Sequence, residues 1–129
     1  MTMETENKDV KLEKLVSYIR EWRNFYLFQR RLADYSIDGY TEGRYRAYNR
    51  CLNICTKHND LKSAIREIDD IKTIPSDEIL RNLETNLFEV PSVLSYNQKF
   101  NLGYNRGIMD IKSEIIDILF NANYLECVS

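Results

Sequence analysis

The residues most able to do chemistry are Cys51, Cys55 and His58, with Cys127 far along the chain. The first three sit at i, i+4 and i+7 and so project from one region of a helix. With Cys127 they would make a Cys3His set, which is a known zinc shell. The paired short spacing C-x2-C that usually marks such a site is absent, and buried small thiols are the commoner use of such cysteines. The one histidine and the thiols outline no nucleophile with a base and an orienting third group. The paired carboxylates Asp69-Asp70, Asp77-Glu78 and Glu114/Asp117 fall where helix surfaces and caps are expected. No glycine-rich phosphate loop, HExxH or nucleophile elbow occurs. The expectation is a protein without catalysis, metal or cofactor.

A second chemistry is binding through charge and aromatic rings. Residues 20–66 hold ten Lys/Arg against five Asp/Glu, whereas residues 67–129 hold five against eleven. The basic stretch also carries Trp22, Phe25, Tyr26, Phe28, Tyr35, Tyr40, Tyr45 and Tyr48. Arg44, Arg46, Arg50 and Lys57 are placed to meet phosphates, which makes nucleic-acid binding the alternative function. Against it, the sequence pI is near 5.5 and the aromatics fall at core spacing. The lead expectation is a protein–protein interaction module, because Tyr and Arg are enriched at interface hot spots.

The candidate partner-binding residues come from an echo in the chain. Tyr48-Asn49-Arg50 recurs as Tyr104-Asn105-Arg106, and Tyr40 recurs as Tyr96 at the same offset. Small residues flank each tripeptide: Ala47 and Cys51 in the first, Gly103 and Gly107 in the second. A helix-interior glycine costs about 1 kcal/mol relative to alanine, so two of them imply a gain such as close approach of another backbone. Tyr48, Arg50, Tyr104 and Arg106, with Arg46 and Lys57 as a charged surface, are the expected contact residues. The same tyrosines suit core packing, and four matching residues can arise by chance in a Tyr- and Asn-rich chain.

These residues need helices to position them. Four glycines and two prolines among 129 residues favour long uninterrupted helices over turn-rich sheets. Residues 1–8 read as a disordered tail and 9–129 as a single domain. Asp9 is the expected cap of a first helix with Leu12, Leu15/Val16, Ile19, Trp22, Phe25/Tyr26 and Leu32 inward, its middle buried on several sides. Asp38-Gly39 reads as a turn, with left-handed geometry at the glycine and Thr41 capping the next helix. Asp60 caps a third segment with Leu61, Ala64/Ile65, Ile68 and Ile71 inward. Ser76 starts a short helix burying Ile79/Leu80, Leu83 and Leu87. Ser92 caps the last helix, whose stripe runs through Val93, Tyr96, Phe100, Tyr104, Ile108, Ile111, Ile115 and Ile118/Leu119. The fold class is thus all-α: a compact bundle of four or five helices, the first and last long.

No run approaches the roughly 20 apolar residues that span a bilayer, and the polar, acidic first ten residues do not resemble a signal peptide. Three cysteines fit a reducing compartment, so a cytoplasmic location is expected. The basic middle and acidic C-terminal half suit pairing between subunits, and a homodimer is expected. Abundant Asn, Ile, Lys and Tyr suit an AT-rich coding genome, and a small acidic helical protein of that kind suits a phage-type inhibitor or regulator of a host protein.

Overall fold

The computed structural model describes residues 9–32, 39–75, 90 and 93–128. Within them the chain forms four helices and no strand: α1 (Val10–Leu32), α2 (Gly39–Lys57), α3 (Leu61–Asp69) and α4 (Tyr96–Val128). The all-α bundle with long first and last helices is therefore the fold. The expected tail 1–8, the turn at 36–38, the short helix from Ser76 and the Ser92 cap lie outside the described residues.

The Asp9 carboxylate does more than cap one helix. It accepts from the Lys11 and Leu12 N–H groups at 3.0 and 3.2 Å, and its other oxygen accepts from Leu61 N–H at 2.7 Å. One anion thus satisfies orphan donors at the starts of both α1 and α3, the positive ends of two helices. Asp60 caps α3 as well, accepting from Ser63 N–H at 2.7 Å. Ser95 and Gln98 close a reciprocal capping box before α4, three residues beyond the expected cap.

α2 begins at Gly39, two residues before Thr41, and no described glycine has positive φ. The expectation of a left-handed turn glycine is corrected here. Gly39 is needed for proximity, because a Cβ there would collide with the Tyr96 carbonyl. The same holds for Gly43 against Phe100 O and, at 2.7 Å, Tyr104 N, for Gly103 against Tyr40 O, and for Gly107 against the Ala47 Cβ at 2.6 Å. All four glycines of the chain line one seam between α2 and α4. The close approach inferred from Gly103 and Gly107 is what the backbones do, with Ala47 in the facing helix. Contacts rise together along both helices, so α2 and α4 run parallel; this seam is the largest contact among the described helices.

A parallel pair needs a return path, and α3 with residues 70–75 supplies part of it. The buried Asn105 carboxamide accepts from Ile74 N–H at 2.8 Å and donates to Ile74 C=O at 2.9 Å, pinning that segment to α4. Leu61, Ala64, Ile68 and Ile71 join Leu12, Leu15, Ile19, Ile108, Ile111, Ile115 and Ile118 in the core.

α1 runs antiparallel to α2: Arg23 reaches Asn49 and Arg30 reaches Glu42. It meets α4 over a much shorter stretch, where Tyr18 bonds to Asp110. Beyond Ile19 the expected inward stripe of α1 turns out of the core. Trp22, Phe25, Phe28 and Leu32 are exposed, whereas Tyr26 is half-buried. The correction has a simple cause: α2 covers one side of this half of the helix, and no other described helix packs on the opposite side. On α4, Val93 and Tyr96 are likewise exposed at the expected stripe's start: Val93 precedes the helix and Tyr96 is its first residue.

Candidate functional site

The exposed half of α1 is the surface that stands out. Phe25 is 47% exposed, Phe28 58% and Leu32 62%, and Trp22 lies beside them. At 150–250 Å2 per ring, the three aromatics alone leave about 300 Å2 of apolar surface in water, the size at which a patch on a monomer usually has a use. The rings are ordered by one another. Trp22 and Phe25 meet edge to face at 5.6 Å between centroids, Phe25 and Tyr26 at 5.0 Å, and Trp22 stacks on Tyr26 at 6.1 Å. Such pairs hold a surface rigid at low entropic cost.

The surface is rooted in a buried polar network. Tyr26 stacks on Tyr48 at 5.8 Å. The Arg44 guanidinium lies 5.5 Å from the Tyr26 and Tyr40 ring centroids and 5.9 Å from Tyr48. It donates from Nε to Tyr40 Oη at 3.0 Å and from Nη1 to Tyr48 Oη at 3.2 Å. Tyr48 in turn donates to Asp110 Oδ2, and Tyr18 donates to the same carboxylate at 2.9 Å. A half-buried cation is thus held by ring faces and hydroxyls. Burial raises the Tyr48 and Tyr18 phenols well above their ordinary range, and the bond to Asp110 adds to it, since ionised tyrosine would face a carboxylate.

The six expected contact residues divide. Tyr48, Tyr104 and Arg106 are buried, Arg106 completely, so they position helices and do not reach a surface. Arg106 lies over the Tyr40 ring at 5.5 Å. Arg50, Arg46 and Lys57 reach solvent on one outer face of α2. Arg50 donates to Tyr104 Oη at 2.7 Å, Arg46 pairs with Glu42 at 3.0 Å, and Lys57 pairs with Glu67 at 3.1 Å. The sequence reading missed the outer face of α1 because its residues fit a helical stripe. The signal was there in the width of the stripe: Trp22, Phe25, Tyr26, Leu27 and Phe28 cover more of a helix than one neighbour can bury.

Cys51, Cys55 and His58 do not converge on one point, and the Cys127 side chain of the expected set lies outside the described residues. Cys51 and Cys55 are buried and reduced, and burial pushes their thiols up to about 12 and about 11. His58 turns outward to Glu67 at 2.8 Å. Among the described residues no group of three His, Cys, Asp or Glu is placed to hold a metal ion. A cleft of about 510 Å3 lies between α1 and the end of α2, lined by Leu12, Val16 and Cys55 with Glu13, Arg20 and His58 around them. Burial raises its thiol, and its histidine pairs with Glu67. No described helix is long and apolar enough to cross a membrane.

Comparison with protein-family models, curated proteins and solved structures finds no match to this chain.

Proposed function

We propose that the chain is a non-catalytic protein–protein interaction module, a regulator or inhibitor of the protein it contacts. The observation that carries this reading is the exposed Trp22–Phe25–Phe28–Leu32 face. Aromatic anchors on a rigid helix, rimmed by arginines, have the composition of an interface core with a polar rim. Arg20 and Arg31, both exposed on α1, supply that rim. The test is affinity capture from source-cell lysate with the wild type and with Phe25→Glu plus Phe28→Glu. A partner enriched by the wild type and lost with the variant is expected. Equal recovery by both would sink the reading.

A second reading has its own observation. Arg46, Arg50 and Lys57 are exposed together along α2, as a phosphate-contacting face requires. Glu42 and Glu67 take up part of the charge of two of them, which is why this reading stands second. Fluorescence anisotropy against generic DNA and RNA at low and moderate salt decides it. Salt-sensitive micromolar binding that disappears when the three residues become Glu would establish it in place of the first.

A further inference from the structure

Four exposed residues, Glu21, Phe25, Phe28 and Leu32, make the outer line of α1. At about 100° per residue they fall within about 60° of one another. They lie on the side of the helix opposite to Arg23, Tyr26 and Arg30, which reach α2. Their spacings, four, three and four residues, read the same from either end of the helix. A line with that symmetry matches its own reverse. A two-fold axis perpendicular to α1 sets α1 of a second copy antiparallel against α1 of the first, and leaves α2 of each copy behind its own α1.

In that arrangement Phe25 stands opposite Phe28 of the other copy, and Phe28 opposite its Phe25, so four rings form the centre. Trp22, to one hand of the line, brings its exposed edge toward Leu32 of the other copy. The charges are self-complementary as well. Glu21 stands opposite Leu32 of the other copy, one residue or about 1.5 Å along the axis from its Arg31. Arg31 lies about 80° to the other hand of the line, so its long stem carries the guanidinium across to that carboxylate. The two-fold repeats the pair and puts one bridge at each end of the seam. Within one copy Glu21 and Arg31 are ten residues apart, about 15 Å along the helix, and cannot meet. Among the described residues neither of them makes an ion pair. Arg20 of the other copy adjoins each bridge from the outer edge, where salt screens its repulsion of Arg31.

Resting on the interaction-module reading above, we infer that the partner of the α1 face is a second copy of this chain, in a two-fold dimer whose seam is the antiparallel pair of α1 helices, with Phe25 on Phe28 and Glu21 on Arg31 of the other copy, each made twice. The contact is isologous and closes at two copies. The area agrees. Trp22, Phe25, Phe28 and Leu32 expose on the order of 400 Å2 of apolar surface per copy, or about 800 Å2 for the pair. A standard interface buries about 1,600 Å2 in total, a little over half of it apolar, so the line supplies the apolar part of one interface. Glu21, Asn24, Gln29 and Arg31 around it supply the polar rim.

The test is sedimentation velocity on the full chain from about 1 to about 300 μM, a span that captures weak dimers. The expected result is a concentration-dependent dimer. Phe28→Glu, at an exposed site, should weaken it by tenfold or more while circular dichroism and melting stay unchanged. Glu21→Arg and Arg31→Glu should each weaken it severalfold. An equimolar mixture of those two variants should recover most of the loss, because every bridge in the mixed pair again joins opposite charges. A folding defect would not be cured by mixing. A monomer throughout the range overturns the inference. So does a dimer indifferent to Phe28→Glu, and so does a mixture that associates no better than its two components. In each of these cases, lysate capture that remains sensitive to Phe25→Glu plus Phe28→Glu leaves the interaction-module reading standing with a different partner.

Discussion

Tyr48-Asn49-Arg50 and Tyr104-Asn105-Arg106 are the same tripeptide on two parallel helices, and the fold uses them in opposite ways. In α2 the arginine is exposed, Asn49 is half-buried and only Tyr48 is in the core. In α4 all three are buried, Arg106 and Asn105 completely. The reason is register. The echo sets equivalent residues 56 apart, but Gly107 meets Ala47, a separation of 60. The helices are thus slipped by about one turn from the pairing the echo implies. Identical residues then meet different neighbours: Asn105 finds the backbone of Ile74, while Asn49 finds the end of Arg23. The lesson is that a short sequence echo reports shared packing needs, here a small-residue seam, and says little about which copy faces water.

The strongest way to break the comparison is at the seam both copies share. Gly43→Leu should cost about 3 kcal/mol or more, because the added atoms meet the Phe100 and Tyr104 backbone, which cannot move aside. Thermal denaturation checks it. The next test sharpens the contrast between the copies. Arg106→Ala should cost about 3 kcal/mol, from a buried cavity and lost polar contacts, whereas Arg50→Ala should cost about 0.5–1 kcal/mol for one surface hydrogen bond to Tyr104. Equal losses in urea denaturation would mean the two arginines are not differently placed.

Asp110→Asn should cost about 1–3 kcal/mol, since the carboxylate accepts from both Tyr18 and Tyr48 and an amide offers one acceptor oxygen. The same network fixes an alkaline response. Because folding raises the Tyr48 and Tyr18 pKa, their contribution is present in full below about pH 10, the unfolded value, and is lost as pH climbs above it. Absorbance at the phenolate band should therefore show a delayed, cooperative tyrosine ionisation coinciding with loss of helix. The smallest effect belongs to the exposed end of α2. His58 and then Lys57 lower the Glu67 pKa, so this contribution is present above the ordinary glutamate range and fades as pH falls below it. His58→Ala should shift the melting temperature hardly at all in a neutral-pH scan.

The sequence by itself determined the described helices, the Asp9 and Asp60 caps and the small-residue seam. Periodicity places Leu12, Leu15 and Ile19 or Ile108, Ile111 and Ile115 on one face whatever surrounds them, Asp9 and Asp60 carry their own capping oxygens, and a glycine deep in a helix has few uses but proximity. Only the tertiary structure decided which faces are covered. Trp22, Phe25 and Phe28 fit a core stripe as well as Leu15 does, and they stay exposed because, among the described residues, no helix packs on the outer side of α1 beyond Ile19. Arg106 fits a surface face as well as Arg50 does, and it is buried because of a one-turn slip between parallel helices. Helical period is a local property of the backbone; burial depends on which distant segment arrives at each face, and no local pattern encodes that.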